Sequence, residues 1–241
     1  DTARSLSGLP PLFLVHDASG SISSYFELGP LGCRVYGIYD PQVEGAQGEA
    51  WRSLADRVQT YIQLIQNVLR RGSILIGGWS YGGVLAVHIA HMLNNERKAP
   101  HVAGIILIDS VYPPKLRHRL GMDPQEHMMA GVVARLKDKL PVSSVRPTYL
   151  RYAWQLPSWN NRATETCRKH ISAPPSVTLI RASSHIPMAN PDETFFLDWS
   201  RNMPQLGWEN YEEDFISHIL EIPGDHFSIF DTPNLVVINY L

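Results

Sequence analysis

The sequence predicts an α/β fold with a mostly parallel central sheet, helices on both faces and one helical insertion. Short apolar runs alternate with helix-like segments at the spacing of β-α units. The runs are apolar almost throughout, as is typical of strands covered on both faces of a sheet. The alternation is interrupted once, over residues 111–170, where Pro, Arg, Met and aromatic residues are frequent. We expect residues 1–241 to form a single domain of this kind.

The apolar runs predict six strands, each closed by turn-forming residues. They lie at residues 11–16, 32–40, 74–77, 102–108, 176–182 and 219–223. Apolar residues at helical spacing predict an amphipathic helix over residues 51–70, where the pattern is strongest. Further helices are expected from residue 84 to about residue 93 and over residues 232–241.

Composition excludes several classes of protein. Hydrophobic residues make up 44% of the 241 residues and charged residues 18%, which suits a folded chain with a sizeable core. The formal net charge of −2 argues against nucleic acid as a partner. Neither a run long enough to cross a membrane nor a secretory signal is present, so we expect no membrane association and a cytoplasmic protein. Cys33 and Cys167 lack metal-ligand spacing, so we expect reduced thiols and no metal.

The strongest local signal is the segment Gly78-Trp79-Ser80-Tyr81-Gly82, which lies between a predicted strand and a predicted helix. A Gly-x-Ser-x-Gly in that context is typical of a nucleophile elbow, a strained turn that holds a serine hydroxyl out toward a substrate. Small residues two positions on either side let the backbone pass without collision. The segment predicts that Ser80 is a catalytic nucleophile.

A serine nucleophile needs a base, and His226 is the best-placed histidine. It follows the last predicted strand in a turn-forming context, and the chain order in this fold class is serine, acid, histidine. His185, which follows the strand at 176–182, is the serious competitor.

The acid is predicted to be Asp109, because it ends the strand at 102–108 and carboxyl ends of parallel strands face the cleft. The alternative, Asp192, lies about ten residues past its strand, beside Pro191 in a helix-start pattern. Asp225 adjoins His226 and is expected to face solvent, because neighbours in a turn usually diverge.

A serine that attacks a carbonyl also needs backbone N–H groups to stabilise the negative oxygen of the intermediate. One donor is expected from Tyr81, the residue after the nucleophile. The other is expected from Ala18, in the turn that follows the first strand at His16.

Taken together, five segments resemble the type I thioesterase domains, of the α/β-hydrolase superfamily, that terminate fungal polyketide synthases and nonribosomal peptide synthetases. The resemblance covers nearly the whole chain. It departs at Asp17, where the family often has a proline. The segments are Leu14-Val15-His16-Asp17-Ala18-Ser19-Gly20-Ser21, Tyr36-Gly37-Ile38-Tyr39, Gly77-Gly78-Trp79-Ser80-Tyr81-Gly82-Gly83, Leu107-Ile108-Asp109-Ser110 and Gly224-Asp225-His226-Phe227.

The resemblance implies a thioesterase that takes an acyl chain from the phosphopantetheine arm of an acyl or peptidyl carrier domain, with no cofactor of its own. Ser80 would form an acyl ester, with His226 as base and Asp109 orienting it. Release would follow by hydrolysis or cyclisation. The resemblance and the absence of an initiating Met together suggest a domain excised from a multidomain synthase. A carboxylester hydrolase or lipase, a stand-alone editing thioesterase and, least favoured, a non-catalytic binding protein are the alternatives.

The insertion at 111–170 is interpreted as a helical lid, whose basic character would suit an acidic carrier. Aromatic and Met side chains of this segment are candidates for an acyl pocket, or they pack the lid on itself. These residues are Met128, Met129, Tyr149, Tyr152, Trp154 and Trp159.

Overall fold

The computed structural model describes residues 8–42, 51–94, 96, 98–112, 156, 175–190, 192–212 and 214–239, with side chains as far as residue 235. The strands of this part are β1 (Leu12–Val15), β2 (Val35–Ile38), β3 (Ser73–Trp79), β4 (His101–Ile108), β5 (Ser176–Ala182) and β6 (His218–Ile222). Its α-helices are α1 (Leu54–Val68), α2 (Tyr81–Leu93) and α3 (Thr232–Asn239). Short 3-10 helices lie at Ser23–Glu27, Phe196–Asp198 and Trp208–Asn210.

The six strands form one sheet in the order β2-β1-β3-β4-β5-β6, and every neighbouring pair is parallel. The chain runs outward from β1 to β2 and then returns to the other side of β1 with β3. Such a reversal of strand order opens a crevice at the carboxyl ends of the strands, where ligands bind in open α/β sheets. The loops after β1 and β3 therefore meet at this crevice.

Apolar side chains from the helices pack against both faces of the sheet. On α1, Val58, Tyr61, Ile62 and Ile65 are fully buried at helical spacing. The Ser53 side chain caps this helix by accepting a hydrogen bond from the Asp56 N–H. Helix α2 is buried along almost its whole length. A second apolar cluster covers the opposite face and includes residues 229, 230 and 235 near the chain's end.

The predicted elements agree with the structure to within three residues at their ends, and the helix after the elbow begins at Tyr81, three residues earlier than predicted. The strand at 176–182 is reproduced without change, and β2 is shorter than the apolar run at 32–40. The helix start suggested near Asp192 is wrong, since the first helical turn of that segment begins at Phe196. Of the predicted lid, residues 113–155 and 157–170 lie outside the described residues, so the lid stays a prediction.

Among the residues described, none of the helices has the length and apolar character needed to cross a membrane. Cys33 is a free thiol, and Cys167 lies outside the described part of the chain.

Candidate active site

Ser80 sits in a strained turn between β3 and α2. Its φ of 55° and ψ of −120° are uncommon for a residue with a side chain. Its N–H donates to the Ile108 carbonyl (2.9 Å), which fixes the turn against the end of β4. A Cβ at Gly78 would lie 2.4 Å from the Gly82 carbonyl carbon, and one at Gly82 would lie 2.4 Å from the Val15 carbonyl oxygen. Only glycine fits at these two positions, so the motif is required by the packing of the turn.

The structure brings together the three side chains that the sequence singled out. His226 Nε2 lies 3.1 Å from Ser80 Oγ, and His226 Nδ1 lies 2.8 Å from Asp109 Oδ2. With the proton on Nδ1, the imidazole donates to the carboxylate and accepts from the serine hydroxyl. Asp109 and His226 are buried, and Ser80 is half-buried. The Trp79 ring stacks on the imidazole with 5.1 Å between ring centres, which holds its plane.

Asp109 directly follows β4 and adopts a φ of 40°, so its carboxylate turns toward the crevice. Burial alone would raise the pKa of this carboxyl, but hydrogen bonds from Arg201 and His226 outweigh it and hold the pKa well below its ordinary value. Asp109 Oδ1 also accepts from the Ala182 N–H at 2.8 Å. Asp109 therefore stays ionised and firmly oriented.

Sequence reasoning missed two residues of this site, Arg201 and Asp198. Both Arg201 Nη atoms donate to the carboxylate oxygens of Asp109, at 2.6 and 2.8 Å. Arg201 Nε donates to Asp198 Oδ1 at 2.9 Å, and the Arg201 side chain is 1% exposed. The one signal in the sequence was the i, i+3 spacing of an acid and a base among apolar residues, which usually indicates a surface pair.

The two segments expected to supply oxyanion donors lie against each other. Tyr81 is the first residue of α2, where backbone N–H groups point out of the helix. In the turn after β1, the N–H groups of Asp17, Ser19 and Gly20 donate within the turn. Among the described residues, no acceptor takes the N–H of Ala18. This arrangement is suited to a negatively charged oxygen, and the role of Ala18 and Tyr81 stays a prediction.

A buried polar network supports the same turn from behind. His16 Nε2 lies 2.7 Å from the Tyr61 hydroxyl, and His16 Nδ1 lies 2.6 Å from the Asp17 carbonyl oxygen. Arg57 donates to the hydroxyls of Tyr61 (3.0 Å) and Tyr81 (3.1 Å). Burial, together with the nearby Arg57 charge, lowers the pKa of His16 to about 3. His16 is therefore neutral at ordinary pH and serves as a structural link.

The alternative base and acid form no hydrogen bond with Ser80, Asp109 or His226 in the described part of the chain. His185 and Asp192 are exposed. The expectation that Asp225 faces solvent is wrong: it is half-buried, and its side chain accepts from the N–H groups of Phe227 (2.8 Å) and Ser228 (3.3 Å). These bonds shape the turn that presents His226. The six candidate pocket residues of the insertion lie outside the described residues.

A cleft of about 580 Å³ opens beside the site. Its apolar wall contains Trp79, Phe227 and Phe230, which adjoin the Ser80 and His226 loops. Acidic side chains of Asp17, Glu27 and Asp231 also line it. This volume lies within the range of small-molecule binding sites in proteins.

The all-parallel sheet, the strained serine turn and its neighbouring histidine define an α/β-hydrolase fold. Within that class, the chain belongs to the thioesterase domain family, whose family model matches residues 10–238.

Curated relatives from fungi agree with this assignment. The chain is 35% identical over 234 residues to the thioesterase frbD of Dothideomycetidae sp. (strain 11243), which covers 95% of this chain and 85% of that protein. It is 33% identical over 230 residues to a thioesterase of Fusarium pseudograminearum (strain CS3096), covering 95% of this chain and 86% of that protein.

Solved structures share the fold. The NocB thioesterase domain in covalent complex with a fluorophosphonate nocardicin G analog gives a TM-score of 0.66 at 22% identity, covering 96% of this chain and 92% of that one. The Vlm2 thioesterase domain with genetically encoded 2,3-diaminopropionic acid, bound with a dodecadepsipeptide, gives a TM-score of 0.62 at 19% identity. The match covers 97% of this chain and 93% of that one.

Proposed function

We propose that this protein is a serine thioesterase that releases a polyketide or peptide acyl chain from the phosphopantetheine thioester of a carrier protein. The observation that carries the proposal is the hydrogen-bonded line from Ser80 through His226 to Asp109 in a thioesterase-family fold. No metal or cofactor is needed for this chemistry, because the base and the oxyanion donors are supplied by the chain.

In the first half-reaction, Ser80 Oγ attacks the thioester carbonyl carbon while His226 Nε2 takes the hydroxyl proton. The negative oxygen of the tetrahedral intermediate is met by the N–H groups of Tyr81 and Ala18. Asp109 stabilises the imidazolium by accepting from Nδ1 at 2.8 Å. The carbon–sulfur bond then breaks, the pantetheine thiol leaves with the proton from His226, and the acyl group remains on Ser80 as an ester.

In the second half-reaction, His226 removes a proton from a water or from a hydroxyl of the acyl chain, and that oxygen attacks the ester. Attack by water gives a free acid, and internal attack gives a lactone. His226 returns the proton to Ser80 Oγ. The cleft beside Ser80 is lined in part by the acidic residues Asp17, Glu27 and Asp231, which favours acyl chains without negative charge in that part of the cleft.

The carrier is the proposed protein partner. The matched span fills 85% of frbD, so that relative has room for little beyond a thioesterase domain. For frbD and relatives of similar length, this favours a carrier on a separate polypeptide. A domain of a synthase would instead take its substrate from a carrier upstream in the same chain. Adding a separate acyl-loaded carrier in solution tests the first arrangement, which requires that the protein accept it.

The alternative functions share the acyl-serine chemistry and differ in substrate. A carboxylester hydrolase would prefer simple oxygen esters, and an editing thioesterase would prefer short or incorrect acyl groups on carriers. A binding protein would leave all of them intact.

The test compares acyl-loaded carrier, small acyl-pantetheine thioesters and p-nitrophenyl esters of matched chain length, with wild type and S80A. We expect Ser80-dependent release that is fastest from the carrier, by a ratio of kcat/KM of at least about tenfold. An equal or higher kcat/KM for the oxygen esters would favour the esterase, and release that persists in S80A would overturn the proposal.

A further inference from the structure

The buried charged side chains behind the proposed triad continue beyond Asp109 to Arg201 and Asp198. Arg201 donates two hydrogen bonds to the Asp109 carboxylate, at 2.6 and 2.8 Å, and one to the Asp198 carboxylate, at 2.9 Å. Asp198 is itself fixed by the Ile186 N–H at 2.5 Å. All three ionic side chains are at most 1% exposed.

The charge of these side chains bears directly on His226. A lone Asp109 would attract the imidazolium that forms when Ser80 loses its proton. A lone Asp109–Arg201 pair would be neutral and would offer much less attraction. With Asp198 included, the three groups carry a net charge of −1, so the protonation of His226 makes the buried cluster neutral.

We propose that Asp198 and Arg201 are positioning residues that extend the triad to five members, with Arg201 orienting Asp109 and Asp198 offsetting the charge of Arg201. This inference rests on the proposed function, because it assigns roles relative to the base of that reaction. Neither residue touches the substrate.

The geometry of Arg201 supports an orienting role. Its Nη1 also donates to the Ala182 carbonyl at 3.1 Å, so the guanidinium makes four hydrogen bonds to three residues. A planar fork of donors fixes a carboxylate in two dimensions, which the single ammonium of a lysine cannot do. The Asp109 carboxylate is thereby held with Oδ2 toward His226.

Two further acidic residues of the described part of the chain, Asp17 and Asp225, lie near His226. Asp17 approaches from the turn after β1, and its charge interacts with that of His226. Asp225 is the chain neighbour of His226 and bonds within its own turn. Both stay unchanged in the variants below, so their effects cancel in the comparison.

The experiment measures the pH dependence of kcat/KM for a small acyl-pantetheine thioester in D198N, R201Q and the double variant D198N/R201Q. D198N leaves the Arg201 charge uncompensated, so the midpoint of the acidic limb should move about one pH unit lower. R201Q removes the positive charge, so the midpoint should move about one pH unit higher. The double variant restores the net charge of −1 and should return within about 0.3 pH unit of wild type, with a lower plateau because Asp109 has lost its anchor.

Loss of structure alone cannot move the midpoint in opposite directions, so the pattern separates an electrostatic role from a purely structural one. If one single variant fails to fold, the other and the double variant still decide the matter. E221Q is the control, because Glu221 carries the same charge on an exposed side chain of β6, and its midpoint should match wild type. Midpoints that stay at the wild-type value in all folded variants would overturn the inference while the wild-type activity still supports the proposed function. A wild type without Ser80-dependent turnover would defeat the proposed function, and this inference with it.

Discussion

Substituting His16 with glutamine should change how the stability of the protein depends on pH. His16 is fully buried between Tyr61 and the turn after β1, and its pKa is lowered to about 3. In the unfolded chain the same imidazole takes up a proton near its ordinary pKa of 6.5. Between these values the unfolded state binds more protons than the folded state, so stability is lost as the pH falls below 6.5.

The size of the effect follows from the gap between the two pKa values. One pKa unit corresponds to about 1.4 kcal/mol, so at pH 5 the unfolded state gains about 2 kcal/mol from protonation of His16. Glutamine can keep only one of the two hydrogen bonds of His16, to Tyr61 or to the Asp17 carbonyl, so H16Q should be less stable than wild type at pH 7.5. Because glutamine does not titrate, this difference in free energy of unfolding should shrink by about 2 kcal/mol at pH 5.

Urea unfolding of wild type, H16Q and the control H185Q at both pH values measures these free energies. His185 is exposed, so H185Q should follow the pH dependence of wild type. A difference between wild type and H16Q that is the same at pH 7.5 and pH 5 would refute the burial argument for His16.

Three further predictions concern the site. G82A places a methyl group 2.4 Å from the Val15 carbonyl oxygen, so it should lower the free energy of unfolding by about 2 kcal/mol in urea and also reduce thioester turnover. Wild-type stability and turnover in G82A would show that the turn shifts to accommodate the methyl group. D109N should lower kcat about 10³- to 10⁴-fold, because the amide cannot stabilise the imidazolium and because it removes one of the two carboxylates that pair with Arg201. A loss under tenfold would point to another acid. F230A removes an aromatic wall of the cleft, so it should raise KM for long acyl thioesters and leave acetyl thioesters unchanged; equal effects on both would place the acyl chain elsewhere.

The sequence predicted those features whose cause is local. The alternation of apolar runs and helical stripes located the strands, and the parallel order then implied that Ser80, Asp109 and His226 lie at one edge of the sheet. Positions directly after a strand are informative because the end of the strand fixes where they lie. The glycines of the serine turn were informative for a similar reason, since a side chain at Gly78 or Gly82 would overlap the backbone.

The features that sequence reasoning missed depend on contacts between distant parts of the chain. Arg201 and Asp109 are 92 positions apart, and nothing near either residue indicates that they pair. Asp198 and Arg201 have the spacing of an ordinary surface pair, and only the fold shows that they are buried. Asp225 was expected to face solvent because of its neighbours alone, whereas its side chain closes the turn before Phe227.

In the proposed reaction, Ser80 carries the acyl group during turnover. Intact-mass spectrometry after brief mixing with acyl-pantetheine thioesters, followed by peptide mapping, tests it most directly. We expect a mass increase equal to the acyl group less one hydrogen, located on Ser80 and absent from S80A. Continued turnover with an acyl group on a different residue, or with S80A as active as wild type, would contradict it.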